Sequence, residues 1–258
     1  MSLTENIEKI DQAIRNLTDR TRRFKYVILG VVVICGLVMR LVAWHNDPVV
    51  SRDGVIYLQA AKSSKGNSNA LKHYTQGPLL LKAIQIFHGA GLAWEHAGVT
   101  VNLAAGTLLI LAVFWATKEL FPGNGLCAFV AALLVAFNPK LVMLSHEVQR
   151  ESLYLLFSAL ALAAIFRAAR TSSWQLWLIS GVFAAFAASS RFEALELLLF
   201  APLAVWFLGD RTVGKARFLK MGCIFISTAV CILILYSWFD LPLFRFVDSV
   251  KVRIANIF

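Results

Sequence analysis

Cysteine is scarce in this sequence and forms no motif. Cys35, Cys127, Cys223 and Cys231 each fall inside an apolar run, with no Cys-x-x-Cys pair and no histidine at zinc-ligand spacing beside them. That argues against a disulfide framework and a zinc-binding motif, and the four read as small lipid-facing or packing residues. Acidic residues are also few, 15 against 25 lysines and arginines, for a formal net charge of +10. Most of the basic residues flank apolar runs, where such residues orient membrane spans and meet anionic headgroups, so the excess does not argue for nucleic acid as a partner. No polar stretch is long enough for a soluble domain. No pair of interrupted apolar runs recurs in matching halves, which disfavours a transporter built from inverted repeats.

What is present is hydrophobic length. The 258 residues are 59% hydrophobic with a mean hydropathy of +0.68, and runs of about 17 to 25 apolar residues recur, the length a helix needs to cross a bilayer. An all-α polytopic membrane protein is expected. The first run follows a charged stretch near Lys25 and many runs follow it, so it reads as a retained span and not a cleaved signal peptide. Ile7, Ile10, Ile14 and Leu17 lie at helical spacing among charges, which predicts that residues 1–24 form an amphipathic helix on the membrane surface, leaving 25–258 as the transmembrane module. Lys9, Arg15, Arg20, Arg22, Arg23 and Lys25 place this end in the cytoplasm.

About seven spans are expected: Tyr26–Trp44, Ala97–Thr117, Leu126–Leu144, Ser152–Phe166, Trp174–Ser189, Ala194–Leu208 and Met221–Trp238. The basic loops Arg167–Ser173 and Asp210–Lys220 should be cytoplasmic. By parity, residues 45–96 must then begin and end on the external face. Gly77–Trp94 is too short and too interrupted for a span, so that loop is read as two helices along the membrane, Asp53–Ala61 and Pro78 to about His88, linked by the Ser/Gly/Asn-rich Ser63–Asn69. The charged clusters and all five histidines, His45, His73, His88, His96 and His146, then share the external side.

Ionisable residues at span ends are costly unless they pair, reach water or serve a site. Asp53 opens the first external helix, either as a cap or as a general base with Tyr57 one turn later. Ser145-His146-Glu147-Val148-Gln149-Arg150-Glu151 joins two spans; on a helix Glu147 and Glu151 would share a face with Arg150 beside them, as a structural pair or as a site. Arg191 with Glu193 and Glu196 offers the same two readings. Gln76-Gly77-Pro78 opens the second external helix, and free N–H groups there, with Lys82 or His73 adding charge, suit an anion.

The order of these elements resembles the integral-membrane glycosyltransferases of the GT-C fold that use polyprenyl-phosphate sugars, a group that includes protein O-mannosyltransferases and the aminoarabinose transferase of lipid A. The resemblance rests on Arg52-Asp53-Gly54-Val55-Ile56-Tyr57 after the first span, Gln76-Gly77-Pro78-Leu79-Leu80, Leu120-Phe121-Pro122-Gly123, Asn138-Pro139, Glu151-Ser152-Leu153 and Ser190-Arg191-Phe192-Glu193. Asp53 lacks the second acid usual in the family, and Gln-Gly-Pro stands where His-Pro-Pro is usual. Full-length members carry further spans or an external domain that helps hold the acceptor.

The resemblance implies a lipid-linked sugar donor, membrane lipids as surroundings, an extracytoplasmic acceptor and a location in a bacterial inner (plasma) membrane. It makes Asp53 and Glu151 the catalytic candidates, with Asp53 as base and Arg191, Lys82 and Arg150 facing the donor phosphate. Tyr57, Glu147, Glu193 and His146 would support them. A divalent metal cation is the one candidate cofactor, with Asp53, Glu147 and Glu151 as its candidate ligands. The alternative is a non-catalytic relative acting with other membrane subunits in polysaccharide or glycoprotein assembly.

Overall fold

The structure, a computed structural model, describes residues 3–64, 77–171, 173–208 and 215–238, and all its elements are helices. Helix α1 runs unbroken from Leu3 to Asn46. The charged N-terminal stretch and the first apolar run, read above as separate elements, thus form one helix; the first proline of the chain is Pro48, and the helix stops just short of it. Leu29, Val32, Gly36 and Arg40 fall at helical spacing and are buried, whereas Val31, Ile34, Val38 and Met39 between them are exposed. One stripe therefore faces the other helices and the remainder is apolar surface suited to lipid.

Two short helices follow. Helix α2 spans Arg52–Ser64 and is capped by Ser51, whose Oγ accepts from the Gly54 N–H at 3.3 Å. Asp53, one of whose readings was a cap, makes no cap bond among the described residues. Helix α3 spans Pro78–Gly89 and opens on Gly77, whose φ of +80° suits glycine, with proline in the first turn. Gln85 of α3 donates to the Ala61 carbonyl of α2 at 3.0 Å. Residues 65–76, including most of the Ser63–Asn69 link, His73 and Gln76, lie outside the described residues.

Helix α4, Trp94–Leu120, is the centre of the fold and packs on α1, α2 and α3 and on three later helices. Its buried positions, from Ala97 to Ala112, run round its circumference, and Gly98, Ala105 and Gly106 among them let neighbouring backbones approach. Next come α5, Gly125–Phe137, and α6, Pro139–His146. The sequence suggested a single span over Leu126–Leu144; the chain instead bends by 55° at Asn138. Pro139 cannot donate to the preceding turn, and the Asn138 Oδ1 takes the N–H groups of Lys140 and Leu141 at 2.9 and 3.2 Å, which starts a new helix in a new direction.

The rest of the chain forms α7 (Glu151–Thr171), α8 (Trp174–Ser190), a 3-10 turn at Phe192–Glu196, α9 (Leu197–Leu208) and α10 (Lys215–Trp238). Alanine-rich faces of α7 and α8 pack together, and α8 meets α10 so closely that a Cβ on Gly181 would lie 1.8 Å from the Ser227 Oγ.

By length and composition, Phe24–Asn46, α4 and α7 are apolar enough to cross a bilayer, and the bent α5–α6 pair makes a fourth. Among the described residues no others of the seven expected spans meet that test. Helix α8 has only 17 residues, the 3-10 turn shortens α9 to 12, and Lys215 and Lys220 occupy the start of α10.

The helices alternate direction so that the charged segments gather at one end. Trp44 of α1 meets His96 of α4 edge to face at 5.9 Å, so the excursion between α1 and α4 leaves and returns at the same place. At the opposite end, Arg167 pairs with Glu119 at 3.2 Å and Arg170 donates to the Leu120 carbonyl at 3.2 Å, closing the far ends of α7 and α4.

Candidate functional site

The site is assembled from three chain segments: the start of α3, the link 147–150 with the start of α7, and the link between α8 and α9. Arg191 leaves α8 in an extended conformation, its N–H still bound to the Ala187 carbonyl at 2.8 Å. Its guanidinium donates to Glu151 at 3.0 Å and to both oxygens of Glu193 at 3.4 and 3.5 Å. It also lies over the Tyr154 ring, 5.7 Å from the centroid. Burial alone would lower the Arg191 pKa; the hydrogen bond to Glu193 and the charges of Glu193 and Glu151 outweigh it and hold the group above its ordinary value.

Arg150 approaches Glu151 at 3.9 Å. A Cβ on Gly77 would be 3.6 Å from the Arg150 side chain and 3.8 Å from the Ser190 carbonyl. The first turn of α3 is thus pressed against the two arginine-bearing links. Gly77, Arg150, Ser190, Arg191, Phe192 and Glu193, with Ala188, line a shallow crevice that encloses no cavity. Small-ligand sites are commonly enclosed clefts of about 300 Å³ or more, so a headgroup would lie across the mouth of this crevice or would have to open it.

Asp53 and Tyr57 flank this cluster from α2. Tyr57 is half-buried, and burial raises its pKa; Arg150 and Arg191 pull it down while Glu151 and Asp53 push it up, which places all five groups in one electrostatic neighbourhood. Asp53 is exposed, and among the described residues its carboxylate has no hydrogen bond or ion pair.

Other expected members are placed differently. Glu147 does not share a helical face with Glu151: it is extended, past the end of α6, and its carboxylate accepts from the Gln149 side chain. His146 is buried at the end of α6 with its Nδ1 unpartnered among the described residues, away from the crevice lining. Lys82 lies in the second turn of α3, half-buried, and does not line the crevice. Asp53, Glu147 and Glu151 do not form a cation site: among the described residues no three histidine, cysteine or acidic side chains gather as metal ligands. Glu147 is directed to Gln149 and Glu151 to the arginines, so this set does not fit a divalent ion.

Three residues were missed. Tyr154 is signalled only by its spacing from Glu151, one turn along α7. Val148 seats against positions 54 and 98, where added Cβ atoms would be 3.2 Å from its Cβ and 2.9 Å from its methyls. Arg40 lies hidden in the first apolar run.

The sequence pattern of the dolichyl-phosphate-mannose-protein mannosyltransferase family matches residues 77–238. The chain belongs to this family. It is thus a GT-C-type membrane glycosyltransferase family member, and the family uses a lipid-linked sugar donor. The match begins at Gly77 and takes in every residue that lines the crevice, while Asp53 and Tyr57 precede it. No curated protein matches the chain.

Proposed function

We propose that this chain moves a sugar from a polyprenyl-phosphate donor to an acceptor on the extracytoplasmic side of a bacterial inner membrane. The observation that carries this reading is the meeting of Arg150, Glu151, Arg191 and Glu193 with the start of α3 at one end of the bundle, in the electrostatic neighbourhood that Tyr57 shares with Asp53, whose carboxylate is unpaired among the described residues. The acceptor hydroxyl attacks the anomeric carbon, the bond from that carbon to the phosphate oxygen breaks, and the configuration inverts. Asp53 takes the acceptor proton. Arg191 and Arg150 face the departing polyprenyl phosphate and stabilise its charge. Glu151 and Glu193 hold Arg191 in place until the phosphate arrives, and Tyr57 supports Asp53.

The same reading carries seven spans with a cytoplasmic N-terminus. Seventeen residues of α8 reach about 26 Å, close to the about 30 Å of a hydrocarbon core. The 3-10 turn and α9 together reach a similar length. Helices α2 and α3 lie along the external surface.

Asp53→Asn keeps the shape of the side chain and removes its basicity. Transfer by membranes containing the variant and supplied with donor should fall at least about a hundredfold; wild-type transfer would show that Asp53 is not the base. A second reading, a non-catalytic subunit of an assembly system, is favoured by the small crevice and by the two carboxylates already occupying Arg191. Labelled polyprenyl-phosphate sugar binding to the purified protein separates the two.

A further inference from the structure

Arg40 is fully buried in the apolar part of α1, and among the described residues no carboxylate pairs with it. Its partners are the acceptors exposed by the α5–α6 break. In an uninterrupted helix the carbonyls of Val135 and Ala136 would take the N–H groups of residues 139 and 140. Residue 139 is proline, and the Lys140 N–H is given to Asn138, so both carbonyls lose their donors at once. Unmet backbone groups are costly in a bundle set in hydrocarbon. The Arg40 guanidinium replaces them: Nη2 donates to Val135 O and Nη1 to Ala136 O, each at 3.3 Å. Nη1 also donates to Gly36 O at 2.9 Å, and Nε reaches across the break to the Ser145 Oγ at 3.1 Å. The carbonyl end of α5 is in addition the negative end of its dipole, which suits a cation. Space for this group comes from Gly36 and Gly106, where a Cβ would lie 3.3 and 3.1 Å from the guanidinium nitrogens.

We propose that Arg40 is a positioning residue, a clamp that fixes the bend between α5 and α6 and so delivers residues 147–151 to the site. Ser145, its contact on α6, is two residues before Glu147 and six before Glu151. The functional consequence rests on the transferase reading; the clamp itself does not.

The test is hydrogen exchange on the full-length protein in detergent, resolved by segment. Arg40→Met, which keeps the chain length and removes every donor, should raise exchange of the 147–150 amides about tenfold or more and leave the middle of α7 and α8 unchanged. Arg40→Lys, with the charge but not the planar fork, should give an intermediate rise. Ser145→Ala, which removes one acceptor, serves if Arg40→Met does not fold, and should raise the same amides less. Restoring the missing donors by Asn138→Leu with Pro139→Ala should at least halve the effect of Arg40→Met on the unfolding midpoint. Unchanged exchange at 147–150 in the folded variants, or a uniform rise through all helices, would overturn the clamp. A local rise in the variants, with no sugar transfer by the parent protein supplied with donor and acceptor, would keep the clamp and defeat the transferase reading.

Discussion

Replacing Glu151 by glutamine asks whether charge or packing holds Arg191 at the crevice. The Glu151 Oε1 lies 3.0 Å from Arg191 and 3.9 Å from Arg150, and the Glu151 and Arg191 side chains are only 24% and 30% exposed. At 3.0 Å and an effective dielectric of about 20, the gross attraction is about 5 kcal/mol. Desolvation of both groups and residual water cancel much of that, glutamine still accepts a neutral hydrogen bond, and Glu193 remains as a second partner. The net coupling should be about 1–2 kcal/mol. A double-mutant cycle of Glu151→Gln and Arg191→Met measures it, with unfolding by sodium dodecyl sulfate in mixed micelles followed by tryptophan fluorescence. The coupling should shrink as salt is raised. A value below about 0.3 kcal/mol, the ordinary error of additivity, would refute the electrostatic account of this cluster.

Tyr57 supplies a pH test. Its folded pKa is raised above the ordinary 10.0, so its share of stability is full below that pH and is lost as pH climbs beyond it. Tyr57→Phe should therefore lose stability less steeply than the parent in alkaline solution, and Glu151→Gln, by removing a negative neighbour, should lower the titration of the phenol that disappears in Tyr57→Phe, followed by ultraviolet absorbance. Gly181→Ala should cost about 1–3 kcal/mol, because its Cβ would meet the Ser227 Oγ at 1.8 Å and the Ile224 carbonyl at 2.6 Å; Gly30→Ala, with nothing within 4 Å, should cost nothing. Unfolding midpoints in mixed micelles check both substitutions.

The sequence was legible where a single signal dominates. Apolar length marked α1, α4 and α7; punctuation by Pro78 and the acidic start at Asp53 marked α3 and α2 to within a few residues. An ion pair of Arg191 with Glu193 was one of the two readings its position offered, whereas its bond to Glu151, 40 residues earlier, left no local signal. The bend at Asn138 was hidden because hydropathy averages across it, although Asn138-Pro139 had been singled out as a motif. Glu147 was misplaced because helical spacing was extended through a link whose conformation is decided by α4. Arg40 was passed over because one charge in a long apolar run barely changes its mean, and its acceptors lie some 95 residues away in the chain. Tertiary contacts of that kind leave no local trace.

The two glycine notches of α4 act as detents. Ser145 drops into one at Gly106 and Val148 into the other at Gly98, sockets about 12 Å apart along the axis yet filled by residues only three apart in the chain. A helical path would advance under about 5 Å over that interval and a fully extended one at most about 11 Å, so extended backbone at Glu147, with φ −76° and ψ 143°, covers part of the gap and the two side chains reach the rest. The segment before Arg150 therefore leaves one fixed peg, seats Val148 in the other and turns tightly there, the Gln149 N–H meeting the Glu147 carbonyl at 2.9 Å, and this path sets where that arginine arrives. Inserting one residue there would displace that turn, and Arg150 with it.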